Sequence, residues 1–262
     1  MNTPFSTTSS SPQRGLAVVT GASVGIGQAT AQALEKAGYT VIAASRRLTT
    51  LPSADSGITT HQLDVTDADS VAALERTVAS HPVPLTLLVN NAGIPTHAAT
   101  IADSDLADWR ATYDTNVIGA VRTTQALLPH LIRHHGHVQF IGSTVGRVPY
   151  ERGAAYAASK YALTALVQTL RLETNGLPVR ITEIAPGMMR GDEAGGEFMR
   201  TRFHNDPAAI AAVYQGVDNP LTPEDIAECV VWCATRPAHV DIDLMEIRPL
   251  AQAAQHKVHR TH

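Results

Sequence analysis

The sequence lacks most of the features that mark membrane, secreted or nucleic-acid-binding proteins. Its 262 residues contain no run of eighteen consecutive apolar residues, and the first residues have neither a basic nor an apolar stretch. We therefore expect no membrane span and no targeting segment. The 20 basic residues are outnumbered by 24 acidic ones, and this net charge of -4 argues against binding to a phosphate backbone. These absences predict a cytoplasmic protein that binds neither nucleic acid nor a membrane.

Cysteine is scarce, and histidine is present without the arrangement of a metal site. Cys229 and Cys233 are four residues apart in a helix-like segment, where buried thiols are expected rather than a mutual disulfide. The histidines at His134, His135 and His137 are typical of a polar helix end followed by the start of a strand, and the last three lie near the end of the chain. The sequence therefore predicts a reducing compartment and no bound metal.

Short apolar runs alternate with helix-length amphipathic segments from Leu16 onward. Apolar residues make up 44% of the chain and charged residues 17%, which is ordinary for a folded protein. The runs that we predict as strands lie at 16–20, 40–45, 58–64, 85–90, 137–143, 179–186 and 244–249. Strands that are apolar on both faces and alternate with helices form parallel sheets. The fold class is therefore α/β, as a single-domain Rossmann-type doubly wound parallel sheet with helices on both faces.

The domain is expected to span residues 14–250. Residues 1–13 are rich in Ser, Thr and Pro and are predicted to form a flexible tail, and residues 251–262 a C-terminal tail. Helices are predicted over 28–37, ending at a C′ glycine Gly38, and over 67–79, with Asp67 near the start. The segment 188–221 has no clear strand and is rich in Gly and Arg, which predicts a lid or binding loop.

A glycine-rich turn, TGASVGIG, occupies residues 20–27 directly after the first predicted strand and leads into the first helix. Glycines permit a tight turn and let backbone N–H groups approach a pyrophosphate at a helix N-terminus. A plain glycine-rich turn is the alternative, but the strand before it and the helix after it favour a dinucleotide site. The predicted cofactor contacts in this turn are Gly21, Ser23, Val24, Gly25, Ile26 and Gly27.

The second strand ends in Ser45, Arg46 and Arg47, with no carboxylate at any of the three positions. A dinucleotide fold that takes NAD usually places a carboxylate here for the ribose 2′-OH, whereas an arginine suits the 2′-phosphate of NADP. The sequence therefore favours NADP(H), with these three residues as contacts. The alternative is that the arginines only solvate a loop.

A group of polar residues with the spacing of an acid–base site follows. Asn90 opens the run NNAG, Asn116 lies further on, Ser143 ends the fifth strand, and Tyr156 and Lys160 stand four apart on the next helix. Residues i and i+4 share a helix face, so we expect the Lys160 ammonium beside the Tyr156 phenol, where it would lower the phenol pKa. Tyr156 would then act as general acid or base, and Ser143 would donate a hydrogen bond to the reacting oxygen.

These elements in this order resemble the short-chain dehydrogenase/reductase family, from Leu16 to about Pro249. The resemblance implies hydride transfer between NADP(H) and a small alcohol or carbonyl, with Asn116 holding a water that links Lys160 to solvent. It implies a homotetramer, or a dimer, through the helices at 103–135 and 153–174. Many members carry a Thr where this chain has Gly191. The further cofactor contacts that the resemblance implies are Asp64, Val65, Asn90, Ala92, Gly93, Tyr156, Lys160, Pro186, Gly187 and Met188.

The C-terminal third is similar to bacterial NADP-dependent 3-hydroxy acid dehydrogenases, in the run PGMMRGDEAGGEFMRTRF and the last strand EIRP. A hydroxy acid substrate needs a cation for its carboxylate, and we expect Arg202 in that role, with Ser143 and Tyr150 as further substrate contacts. Two alternatives stay open: a secondary-metabolite ketone or aldehyde reductase, and a non-catalytic NADP-binding sensor or scaffold. The other candidate cations are Arg147, Arg152, Arg190 and Arg200.

Overall fold

The structure is a computed structural model that describes residues 14–47, 57–191 and 196–261. The tail predicted for residues 1–13 lies outside the described residues. Within these ranges no helix has the length and apolar character needed to cross a bilayer.

A seven-stranded sheet forms the centre of the described chain, and all its strand pairs are parallel. The strand order is β3-β2-β1-β4-β5-β6-β7, so the order reverses between β1 and β4. This topology confirms the predicted doubly wound α/β fold. The strands are β1 Leu16–Thr20, β2 Thr40–Ser45, β3 Ile58–Gln62, β4 Leu85–Asn90, β5 His137–Ile141, β6 Arg180–Pro186 and β7 Leu244–Ile247.

Helices connect the strands, and several have a side chain that caps the helix N-terminus. Asp67 accepts a hydrogen bond from the Asp69 N–H at the start of α2, and Gly38 has the positive φ of +94° that suits the residue after α1. The helix α1 begins three residues earlier than predicted, at Gly25. The helices are α1 Gly25–Lys36, α2 Ala68–Ala79, α3 Leu106–Tyr113, α4 Gly119–Arg133, α5 Ala154–Glu173, α6 Gly196–Arg202, α7 Pro207–Tyr214 and α8 Pro223–Ala234.

Two apolar cores lie on the two faces of the sheet. Alternate residues of β1 point to opposite faces, with Leu16 and Val18 in one core and Ala17 and Val19 in the other. The first core receives α2, α4 and α5, and the second receives α1 and α8. Burial on both faces explains why the strand sequences are almost continuously apolar. Both cysteines are free on α8, Cys233 buried and Cys229 half-buried.

The two segments predicted to lack regular structure have more of it than expected. The described part of 188–221 contains α6 and α7 and a bridge between Met189 and Leu221. The predicted C-terminal tail forms a hairpin of β8 Gln252–Ala254 and β9 Lys257–Val258. After the hairpin, the Thr261 N–H donates to the Gly216 carbonyl at 2.7 Å. The folded chain therefore extends beyond residue 250.

Candidate active site

A cavity of about 820 Å³ opens where β1, β2, β4, β5 and β6 end. The carboxyl ends of parallel strands meet at one edge of a sheet, and the reversal of strand order between β1 and β4 leaves a crevice there. Residues from α6, α7 and the C-terminal hairpin line the opposite wall. The fold therefore brings residues from distant parts of the sequence into one cavity.

The glycine-rich turn forms one end of the cavity. Gly21 and Gly25 have positive φ values of +66° and +57°, and a side chain on Gly27 would overlap the Gly21 carbonyl. Val24 begins α1 without a side-chain cap, whereas Asp and Thr side chains cap α2, α3, α7 and α8. An uncapped helix start beside close-packed glycines suits the phosphates of a dinucleotide, so the residues present fit such a cofactor.

Asn91 holds this turn against the end of β4, a role that the sequence did not reveal. Its side-chain amide donates to the carbonyls of Thr20, at 2.9 Å, and Gly21, at 3.1 Å. The Thr20 hydroxyl in turn accepts from the N–H groups of Asn91 and Ala92, both at 3.0 Å. The NNAG run therefore fixes the shape of the glycine turn, and its second Asn is the residue that does so.

The end of β2 carries the two arginines, and one of them has a partner across the cavity. Arg47 donates to both carboxylate oxygens of Glu197 on α6, at 2.7 and 2.5 Å, and the two side chains are 64% and 40% exposed. Burial would raise the pKa of Asp64, but hydrogen bonds from Thr66 and the Arg46 charge lower it below its ordinary value. Both arginines line the cavity. Arg47 pairs with Glu197, and the charge of Arg46 acts on Asp64.

Ser143, Tyr156 and Lys160 converge at the other end of the cavity, where β5 stops and α5 begins. The Ser143 hydroxyl accepts from the Val145 N–H at 3.2 Å and lies 3.4 Å from the Pro186 carbonyl. The Lys160 ammonium donates to the Ile141 carbonyl at 2.7 Å and lies 5.7 Å from the centre of the Tyr156 ring. The predicted acid–base group is thus assembled in space.

The sequence led us to expect that Lys160 lowers the pKa of Tyr156. For the side chains of the protein itself, this expectation is wrong. Burial raises the Tyr156 pKa above its ordinary value and the Tyr150 phenol adds to the rise, while Ser143 and Arg202 oppose it. Burial also lowers the pKa of Lys160 to about 8. The reason is that desolvation penalises both charged forms, and the ammonium donates a hydrogen bond to the Ile141 carbonyl.

Asn116 lies in a π-helix, Asp114–Ile118, which joins α3 to α4. Its side-chain oxygen accepts from the Ile94 N–H at 2.8 Å, and its amide donates to the Ile94 carbonyl and the Ser159 hydroxyl, both at 3.0 Å. The side chain therefore joins the loop after β4 to α5, one residue before Lys160. The predicted water relay stays a prediction.

Most predicted site residues line the cavity, and three do not. Gly27 packs behind Gly21, and Asn90 donates to Thr124 at 2.9 Å, while Asn116 makes the contacts described above. The predicted residues that line the cavity are Gly21, Ser23, Val24, Gly25, Ile26, Ser45, Arg46, Arg47, Asp64, Val65, Ala92, Gly93, Ser143, Tyr150, Tyr156, Lys160, Pro186, Gly187, Met188 and Arg202.

Arg202 is the predicted cation that reaches the reacting end of the cavity. Its residue is 7% exposed, and its guanidinium lies over the Tyr150 ring with 4.8 Å to the centroid. One terminal nitrogen, Nη2, donates to the Arg152 carbonyl at 2.9 Å. The other, Nη1, is buried and has no hydrogen-bond partner within the described chain. Arg202 therefore presents a buried positive group beside Tyr150 and Tyr156.

Three of the other candidate cations interact with other groups of the protein. Arg147 forms two hydrogen bonds with Glu183, Arg152 donates to the Ala98 carbonyl at 3.0 Å, and Arg190 stacks over Tyr214. Arg200 lines the cavity. No group of three His, Cys, Asp or Glu residues suited to a metal ion occurs in the ranges described.

Residues from the C-terminal hairpin and α6 also reach the site, although no sequence motif predicted them there. Phe198 packs edge-on to Tyr156 with 5.2 Å between ring centres. Gln252 accepts from the Met188 N–H at 2.7 Å, and Gln255 accepts from the Thr144 hydroxyl at 2.9 Å. Their positions depend on long-range packing, which no local sequence pattern encodes.

A Rossmann-type sheet whose cavity joins a dinucleotide turn to a serine, tyrosine and lysine cluster defines the class of nucleotide-dependent oxidoreductases. The short chain dehydrogenase family profile matches residues 15–198, and the chain belongs to this family.

Similar proteins cover nearly the whole chain. It is 37% identical over 255 residues to the NADP-dependent 3-hydroxy acid dehydrogenase YdfG of Salmonella typhi, covering 94% of this chain and 100% of that protein. It is 43% identical over 243 residues to the uncharacterized oxidoreductase MT0502 of Mycobacterium tuberculosis, covering 91% and 92%. A closed form of serine dehydrogenase complexed with NADP+ superposes with a TM-score of 0.83 at 34% identity, covering 94% and 100%.

Proposed function

We propose that this protein is an NADP(H)-dependent oxidoreductase that interconverts a small 3-hydroxy acid and its aldehyde or keto form. The observation that carries the substrate class is the buried Arg202 guanidinium beside Tyr150 and Tyr156. The names of the similar proteins, a 3-hydroxy acid dehydrogenase and a serine dehydrogenase, point the same way.

The cofactor would lie along the cavity from the glycine turn to Ser143. The turn at Gly21 and Gly25 and the uncapped start of α1 suit the pyrophosphate. Arg46 and Arg47 would bind a 2′-phosphate, and Asp64 and Val65 would contact the adenine. When bound, NADP(H) supplies or accepts the hydride, and its oxidised ring adds positive charge to the site. Two similar solved structures were determined with NADP, which supports the same choice.

Tyr156 is the proton donor and acceptor of the reaction. In reduction, the phenol gives its proton to the carbonyl oxygen while the carbonyl carbon gains a hydride; in oxidation, the phenolate takes the hydroxyl proton. Ser143 holds the reacting oxygen by a hydrogen bond that strengthens as negative charge develops. Because burial raises the Tyr156 pKa, the phenol keeps its proton until a carbonyl oxygen becomes basic enough to take it.

Arg202 fixes the other end of the substrate. A buried guanidinium without a carboxylate partner is costly, and Arg202 has no such partner within the described residues. A substrate carboxylate would pair with this charge and accept a hydrogen bond from Nη1. The carbon that bears the hydroxyl would then lie next to Ser143 and Tyr156. A neutral alcohol of the same size would leave the guanidinium unpaired. The site is therefore expected to select an acid over its uncharged analogue.

Steady-state kinetics with a 3-hydroxy acid and its methyl ester test this function. We expect the acid to be preferred, and Arg202→Met to raise its KM about 10- to 100-fold while sparing the ester, because a hydrogen bond to a charged group contributes about 1.5–3 kcal/mol. Arg133→Met, on the exposed end of α4, is the matched control. Preference for the ester, or equal loss for both, would instead favour a general ketone or aldehyde reductase, and no turnover of any carbonyl would favour a sensor or scaffold.

The oligomeric state and location belong to the same proposal. Exposed apolar residues lie on the helices that would form a homotetramer or dimer, with Leu106 and Tyr113 on α3 and Tyr161 and Leu172 on α5. A cytoplasmic location suits free cysteines and a small-molecule substrate. Light scattering on the purified protein tests the assembly, for which a monomer at micromolar concentration is the contrary result.

A further inference from the structure

A buried carboxylate lies behind the reacting end of the cavity, outside its lining. Glu183, in the middle of β6, is 2% exposed. The Arg147 guanidinium donates to its two oxygens at 3.0 and 2.6 Å, and the Thr164 hydroxyl donates to one of them at 3.1 Å. Paired, hydrogen-bonded carboxylates are the form in which a buried acid is tolerated, so this group is built into the fold.

The contacts of Glu183 join the three elements that carry the reacting groups. Arg147 follows the 3-10 turn, Thr144–Gly146, that begins at Ser143. Thr164 is one helical turn after Lys160 on α5, on the same face. Glu183 itself precedes Pro186, whose carbonyl faces the Ser143 hydroxyl. One side chain therefore ties together the supports of Ser143, Lys160 and the loop after β6.

The surrounding backbone packs closely against the Glu183 side chain. A side chain on Gly142, the residue before Ser143, would overlap the Glu183 carboxylate. The Tyr161 hydroxyl donates to the Arg147 carbonyl and fixes the other side of the pair. This close packing holds the carboxylate in one position relative to α5.

Within the described ranges, Glu183 is the acidic group whose charge acts on Lys160. The Tyr156 ring centre lies 5.7 Å from the ammonium on the same helix, and the Glu183 charge acts on the ammonium from β6. Behind Glu183, Arg147 lies 3.9 Å from Glu246, which pairs with Arg248. Burial lowers the Lys160 pKa to about 8, and the Glu183 charge acts in the opposite direction.

We propose that Glu183 is a positioning residue of the catalytic centre, which supports the Lys160 ammonium electrostatically and fixes the elements that carry Ser143 and Lys160. It does not touch the substrate, because its oxygens are occupied by Arg147 and Thr164. The inference uses the proposed function only in treating Lys160 as a catalytic group.

The titration of Lys160 can be measured directly, because Lys36, Lys160 and Lys257 are the three lysines of the chain. Trace acylation with acetic anhydride from pH 6 to pH 11, followed by peptide mass spectrometry, gives an apparent pKa for each lysine. We expect Glu183→Gln to lower the value for Lys160 by about one unit, since a nearby opposite charge shifts a pKa by roughly 1–3 units. Lys36 and Lys257 should not change.

Two further variants separate a charge effect from a packing effect. Glu183→Asp keeps the charge and should keep the Lys160 titration within a few tenths of a unit. Glu75→Gln removes an equal charge beside His130, away from the site, and should also leave it unchanged. An unshifted Lys160 titration in Glu183→Gln, or an equal shift in Glu75→Gln, would overturn the proposal.

Glu183→Gln leaves Arg147 buried without its partner, so the variant could fail to fold. The double variant Arg147→Met/Glu183→Gln removes both charges and should lower the Lys160 titration by less than Glu183→Gln does, because losing the Arg147 cation acts in the opposite direction. The basic limb of the pH–rate profile should move down with it, whereas a purely structural role would lower the rate equally at every pH. Because acylation needs no substrate, a wrong substrate class would not affect the titration result.

Discussion

The two walls of the cavity are built in different ways. The reacting wall, which we define as Ser143, Tyr156 and Lys160 with the strand ends beneath them, is held by buried hydrogen bonds such as that from Lys160 to Ile141. The cover segment, which we define as residues 187–191 and 196–221, meets the rest of the chain through a few backbone hydrogen bonds, such as that from the Ala98 N–H to the Arg202 carbonyl, and through side-chain contacts. One of these is the exposed ion pair of Arg47 and Glu197.

This difference separates chemistry from selectivity. Buried, fully paired groups keep a fixed geometry, which proton transfer requires. Exposed ion pairs contribute little and can exchange partners, which suits a wall that must accept a substrate. Arg202 is the exception in the cover segment, since it is buried and points at the reacting wall. Variants of the reacting wall should therefore change rate for all substrates, and variants of the cover segment should change preference.

The largest effect is expected at Tyr156. Tyr156→Phe removes the proton donor and keeps the ring, so turnover should fall roughly 10²- to 10⁴-fold, as is usual for loss of a general acid. The dissociation constant for NADPH, measured by fluorescence titration, should change less than about twofold. Tyr39→Phe, in the second apolar core and outside the cavity lining, is the control. Near-normal turnover in Tyr156→Phe would exclude it as the acid.

A smaller loss, confined to one cofactor, is expected at the end of β2. Arg46→Ala should weaken NADPH binding by about one to two decades, because it removes a charged hydrogen bond to the 2′-phosphate. Binding of NADH, which has no 2′-phosphate, should be nearly unchanged. Isothermal titration with both cofactors measures the difference, and equal weakening of the two would show that Arg46 does not read the phosphate.

The pH dependence of the rate should report the ionisation of Lys160. Its pKa of about 8 lies below the ordinary value, so roughly nine-tenths of the ammonium is present at pH 7 and it is lost as the pH rises through 8. The kcat/KM for reduction, which reports groups of the free enzyme, should then fall about tenfold per pH unit above that point. A profile that stays flat to pH 10 would contradict the lowered pKa.

The smallest effect is expected at Glu197, whose carboxylate holds Arg47 on the cofactor side of the cavity. Glu197→Gln should tighten NADPH binding about 1.4- to fivefold, because an exposed ion pair of roughly 0.2–1 kcal/mol no longer competes for the arginine. NADH binding should stay the same. Weaker binding of NADPH would mean that Glu197 supports the phosphate site instead of competing for it.

The reacting wall was predictable because its residues follow strand ends in a fixed order. The seven strands were predicted within about two residues, and Ser143, Tyr156 and Lys160 meet as their spacing indicates. The pKa of Tyr156 was not predictable, because spacing places Lys160 on the right helix face but gives neither its hydrogen bond to Ile141 nor the depth of burial.

The cover segment was predictable only as a region. The sequence pointed to 188–221 and ranked Arg202 among five arginines, but the pairing of Arg47 with Glu197 spans 150 positions and depends on how α6 packs. The C-terminal hairpin was missed for the same reason. Gln252 and Gln255 reach the site through tertiary contacts, and short polar sequences give no sign of them.

The ratio of kcat/KM for a 3-hydroxy acid to that for its methyl ester, measured in wild type, Tyr156→Phe and Arg202→Met, tests the division of roles most directly. We expect Tyr156→Phe to lower both values together and leave the ratio within about threefold of wild type. Arg202→Met should reduce the ratio about 10- to 100-fold through the acid alone. A ratio that changes in Tyr156→Phe and stays constant in Arg202→Met would contradict the assignment of chemistry to the reacting wall and selectivity to the cover segment.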